Sequence, residues 1–144
     1  MKYLCMVFYD EATHRALTPD QYQKLDDESL DYDASLRRGG HLVAAQALQY
    51  VDSATVVRVQ HGKVVVTDGP FAETKEQIGG FILLEAADLN EAIQLASKIP
   101  AIRLGGVEIR PIKELVASKI AELGENIVIR RFVRYAVGEE IAAE

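Results

Sequence analysis

The chain has 144 residues, 22 acidic side chains against 16 Lys plus Arg (net charge -6 at pH 7) and 49% hydrophobic residues, enough for one domain with a real core and too apolar for a disordered chain. A pI near 5.1 argues against bulk nucleic-acid binding, and the single cysteine excludes an internal disulfide or a cysteine-rich zinc site. Apolar stretches such as residues 81–84 fall far short of the ~18 residues of a membrane span, and residues 2–9 are too few for a signal sequence, so a cytoplasmic protein is expected.

In chain order, Tyr3, Leu4, Cys5, Met6, Val7 and Phe8 form an apolar run that predicts a strand buried on both faces, with Cys5 as an inert core thiol. Residues 10–17 read as a loop. Thr18-Pro19-Asp20-Gln21 then offers an N-cap hydroxyl, a proline at the first helical position and a glutamine three residues after the cap. The helix it opens should run to about Arg38, where Arg37 and Arg38 complement the dipole and Gly39-Gly40 supplies the stop. Leu25, Ser29, Tyr32 and Leu36 share one face of that helix, with Tyr22 and Asp33 on its border. The Ser29 hydroxyl reads as bonded back to the preceding turn, with a cleft-lining role as the alternative. Asp26, Asp27, Glu28 and Asp31 read as a solvated face.

Residues 41–49 are strand-like, and residues 55–60 and 63–67 are β-rich runs separated by His61-Gly62, which predicts a hairpin. Gly79-Gly80 opens a further strand over 81–85. Asp88, with Glu91 three residues on, caps a second helix whose apolar stripe is Leu89, Ala92, Ile93, Ala96 and Ile99, and Pro100 ends it. Val107 to Arg110 alternate as a last strand. The order strand, helix, strand, hairpin, strand, helix, strand predicts an α+β, ferredoxin-like βαβ…βαβ subunit with an added hairpin and helices on one sheet face. The other face is then best buried against a second copy, giving a homodimer by an isologous two-fold contact. Beyond Pro111 a helical extension of the same domain is expected over 113–144, including a helix over 126–143 where Arg130, Arg131 and Arg134 make a basic patch read as salt-bridging.

The three histidines, His14, His41 and His61, are scattered and read as surface residues; no metal site and no cofactor fingerprint is present. One segment is denser in function-like groups than a connector needs: Thr67-Asp68-Gly69-Pro70-Phe71-Ala72-Glu73-Thr74-Lys75-Glu76. An Asx-turn at Asp68 with exposed charges is one account of it. The other is a pocket for a small polar or anionic molecule, formed by Asp68, Phe71, Glu73, Thr74, Lys75 and Glu76 with Tyr22, Ser29 and Asp33 of the first long helix. In that account Lys75 binds or polarises the ligand and Asp68 or Glu73 moves a proton. Phe71 should be at least partly buried, and Asp68 should accept hydrogen bonds from N–H groups just downstream.

The run from Asp68 to Glu76, followed by Gly79-Gly80-Phe81, resembles the signature of the DGPF branch of the YCII-related proteins. Met1-Lys2-Tyr3 and the residues from Gly106 to Ile112 are also similar, so the resemblance spans about residues 1–112. It implies a dimeric α/β-barrel fold in a family without a settled activity, whose bacterial members are often neighbours of extracytoplasmic sigma factors; a regulatory or ligand-binding accessory role is therefore the alternative to an enzyme. Other YCII-related proteins carry a proposed catalytic histidine two residues after the helix-opening proline; Gln21 stands there in this sequence.

Overall fold

Alternation along the first strand decides the architecture. In a computed structural model, which describes residues 1–113, β1 (Lys2–Asp10) buries Tyr3, Cys5, Val7 and Tyr9 and leaves the residues between them half-buried. The strand is therefore buried on one face, not equally on both as its apolar run suggested. Side chains of a strand point alternately to opposite faces, so one residue set meets the helices and the other forms the opposite surface. Burial pushes the Cys5 thiol up to about 11, which keeps it a neutral core group.

The four-stranded sheet has the order β2–β5–β1–β6, all neighbours antiparallel, with β2 at Leu42–Ala47, β5 at Glu76–Glu85 and β6 at Gly105–Pro111. This is the ferredoxin-like order, and the added hairpin, β3 (Thr55–Gln60) and β4 (Lys63–Asp68), is a separate two-stranded sheet. Its turn holds His61 at φ 50° and Gly62 at φ 76°, both in the left-handed region that a two-residue hairpin turn requires.

Two helices lie on the buried face. The short α1 (Glu11–Arg15) occupies the stretch expected to be a loop, because the Asp10 carboxylate caps it by accepting from the Ala12 N–H at 3.0 Å. The long α2 (Pro19–Arg38) begins with the full capping box: Thr18 Oγ1 accepts from the Gln21 N–H and the Gln21 side chain accepts from the Thr18 N–H. It buries Leu25 and Leu36 against the sheet, and the Ser29 hydroxyl donates to the Leu25 carbonyl at 2.7 Å. A third helix, α3 (Leu89–Ala96), is capped by Asp88 and buries Ala92 and Ala96, while Leu89 and Ile93 of the expected stripe are about half exposed. The core joins Cys5, Val7, Tyr9, Leu36, Ile82, Leu84, Ala96 and Ile99.

β5 begins at Glu76, five residues before the expected start, and Gly79-Gly80 lies inside it. Val7 pairs with Gly80 and Phe8 with Ile78, so Gly79 is the extra residue of a β-bulge. Contacts divide the chain into units Met1–Ile112 and Lys113–Glu144. The expected helical tail, including the helix over 126–143, lies outside the described residues.

Candidate functional site

A single bulge and a single buried histidine organise the site. At Gly79 an added Cβ would meet the Tyr9 ring at 2.0 Å, so glycine is what lets the ring lie flat over β5. The imidazole of His14 stacks on that ring, with centroids 4.6 Å apart and planes 15° from parallel. The rings of Tyr22 and Tyr50 approach His14 edge-on at 5.1 and 5.6 Å. His14 Nδ1 is 2.8 Å from the Tyr50 hydroxyl. The turn that carries Tyr50 is clamped to α1, because Glu11 accepts from the Val51 N–H and Arg15 bonds Asp52 while lying over the Tyr50 ring.

These residues form one end of a cavity of about 800 Å³ between α2 and the sheet, within the size range of small-molecule pockets. Tyr22, Ser29 and Asp33 of α2 line it, with Asp26 beside them, and Gly79 and Gly80 form part of its floor. No Lys or Arg is among its lining residues. Burial raises the Asp33 carboxyl above its ordinary value, against the opposing pull of Arg37. Burial also pushes Tyr9 up to about 12, helped by Tyr50, Tyr22 and Glu11, so its phenol stays protonated. His14 is lowered by burial, against the pull of Asp26 and Glu11.

The shift of His14 fixes a pH dependence. Below its ordinary value of 6.5 the unfolded chain takes the proton before the folded one does. Stability should therefore be full above about pH 6.5 and decline as pH falls toward the folded value, then level off for this group. Urea midpoints from pH 7.5 to 5 check this, and His14→Gln should flatten that limb.

The loop over 68–76 is placed elsewhere. None of Asp68, Phe71, Glu73, Thr74, Lys75 or Glu76 lines the cavity, and all six are exposed. Phe71, expected to be at least partly buried, is 76% exposed, since the Arg58 guanidinium over its ring at 4.5 Å gives it a partner without burial. Asp68 accepts none of the expected downstream N–H bonds among the described residues; the Gly69 N–H donates to the Ala54 carbonyl instead. Lys75, its side chain 84% exposed, lies 3.9 Å from Asp10, and the Thr74 hydroxyl donates to the Glu76 carbonyl while Gln77 closes the loop onto Ala72 and Thr74. The expected cleft facing Glu73 and Lys75 is thus corrected: a self-bonded loop holds these charges in solvent.

Of the nine expected site residues the structure brings together Tyr22, Ser29 and Asp33. Sequence reasoning missed His14, Tyr9 and Tyr50. The available signal was Asp10 followed by Glu11, an N-cap with an acidic first turn, which would have placed His14 on a helix. Among the described residues no group of three or more His, Cys, Asp or Glu is set to hold a metal ion, and no helix is long and apolar enough to cross a membrane.

The YCII-related domain family matches residues 1–116. The chain belongs to that family. An uncharacterized protein of Rhizobium meliloti (strain 1021) is 30% identical to this YCII-related protein over 114 residues, 78% of this chain and 92% of its own. The solved structure of 5-chloro-2-hydroxyhydroquinone dehydrochlorinase from Burkholderia phenoliruptrix AC1100, in complex with 2,5-dihydroxybenzoquinone, covers 78% of this chain and 94% of its own at 14% identity and a TM-score of 0.43. Elongation factor Ts from Moorella thermoacetica is 62% identical over 32 residues, which is 22% of this chain and only 16% of that factor.

Proposed function

We propose that this YCII-related protein binds a small, uncharged, ring-bearing molecule in the cavity beneath α2 and moves a proton on it with Asp33. The observation that carries the reading is a carboxyl raised by burial in the same cavity as the His14–Tyr50 pair. A raised pKa makes the ionised Asp33 a stronger base than a solvent-exposed aspartate. Tyrosines and His14 supply flat apolar faces with polar edges, which suit a ring bearing hydroxyl groups. With Asp26, Asp33 and Asp52 on the lining and no cation there, a neutral ligand is favoured over an anionic one. A homodimer is part of the same reading, supported by Leu4, Met6, Phe81 and Leu83, apolar and half-buried on the sheet face opposite the helices.

Asp33→Asn separates binding from stability. The folded protein holds the proton of Asp33 more tightly than the unfolded chain does, so its charge at neutral pH costs stability. The variant should therefore melt slightly higher than wild type at pH 7. Screened with millimolar phenol, catechol and resorcinol against benzoate and phosphate, wild type should be stabilised by the neutral rings. Asp33→Asn should lose that shift and Asp68→Asn should keep it. For a ring compound that binds, faster deuterium exchange of its acidic C–H with wild type than with Asp33→Asn identifies proton transfer. Binding lost in Asp68→Asn but kept in Asp33→Asn returns the site to the loop.

A further inference from the structure

The hairpin carries a surface that the ligand site does not explain. Val57 faces Val66 and Val59 faces Val64 across the two strands, and all four side chains are 59–72% exposed. β3 and β4 pack chiefly on each other, so the hairpin stands as an arm. A lone two-stranded hairpin is marginal in water, and a contiguous apolar patch on it marks an interaction surface. The same face ends in Asp68 at its base, while Lys63 stands beside the turn at its tip; both are exposed, and neither has an ionic partner among the described residues.

We propose that the arms of two copies of this chain pack valine face to valine face, antiparallel, as part of the homodimer interface. The proposal rests on the homodimer reading above and assigns the arm a role in it. Two observations select a second copy as the occupant. The first is charge. An isologous contact places the same patch against itself. Tip against tip would set Lys63 against Lys63, whereas tip against base sets each Lys63 near Asp68 of its counterpart arm, and the valine pairs between them are free of charge. The second is area. Four strands about 4.8 Å apart, with about five residues each at about 3.3 Å per residue, present roughly 300 Å² of plan area. A stable interface buries about 800 Å² per partner, so the sheet face alone falls short. Each arm adds roughly 200 Å² by the same measure.

The test compares wild type with V57T/V59T/V64T/V66T by sedimentation velocity from 0.1 to 100 μM. Threonine keeps the β-branched shape and the strand preference while removing the apolar patch. Wild type should be dimeric, and the threonine variant should dissociate at least 30-fold more readily with an unchanged far-UV circular dichroism spectrum. Lys63→Asp and Asp68→Lys should each weaken the dimer several-fold, and the double exchange should restore it. A dimeric wild type whose affinity survives all four threonines overturns the role of the arm and leaves the sheet-face dimer standing. A wild type that is monomeric at 100 μM overturns both. Loss of affinity in the threonine variant without recovery in the charge exchange overturns the antiparallel alignment.

Discussion

Leu84→Ala should destabilise the protein by about 3–5 kcal/mol, the upper part of the range for truncating a core leucine. Leu84 is 0% exposed and belongs to the central core. It sits on β5, an interior strand of the sheet, opposite Tyr3 of β1 and Leu42 of β2. Strands bonded on both sides cannot close around a lost side chain, so most of the cavity created there should persist and its cost should add to the lost transfer energy. Leu83 of the same strand faces away from the helices and is only half-buried in the protomer. Leu83→Ala should therefore cost distinctly less where the protein is dissociated. Urea denaturation of both variants checks the difference, and equal losses would contradict the assignment of the two faces.

Gly79→Ala should cost about 1–3 kcal/mol by overpacking, although it removes nothing. The new methyl would stand 2.0 Å from Cε1 of Tyr9, so the ring must move. Tyr9 is buried and carries the stacked imidazole of His14, and both line the cavity. The strain thus passes directly from the bulge to the ligand site. The variant should lose stability in denaturant and also lose any ligand-induced rise in melting temperature. The neighbouring Gly80→Ala gives a control with a different obstacle, since its methyl would meet the Gln46 carbonyl at 2.8 Å and not the Tyr9 ring. An unchanged melting temperature for Gly79→Ala would mean that Tyr9 is free to leave the bulge.

What could be read in advance followed the range of the interactions involved. The capping box at Thr18 and Gln21 was legible because its donors and acceptors lie within three residues. The hairpin was legible because Gly62 marks a turn between two β-rich runs, and the strand order followed from the alternation of elements. The burial of His14 was not, since its partner Tyr50 is 36 residues away and the bulge at Gly79 that seats the Tyr9 ring is created by strand register. Gly79-Gly80 looked like the start of a strand because a bulge and a strand opening both call for glycine. The segment at 68–76 drew attention by its density of ionisable side chains. Density along the chain does not create concavity, and these residues bond among themselves and to Asp10.

The central claim, that the cavity beneath α2 is the ligand site, is tested most directly by mapping bound fragments with amide chemical shifts in a ¹⁵N-labelled protein. Small hydroxylated ring compounds at millimolar concentration should move the amides of Tyr22, Leu25, Tyr50, Gly79 and Gly80, all of which line the cavity. The same experiment on Asp33→Asn should show these shifts diminished. Shifts confined to residues 68–76, or none at those concentrations, would contradict the account.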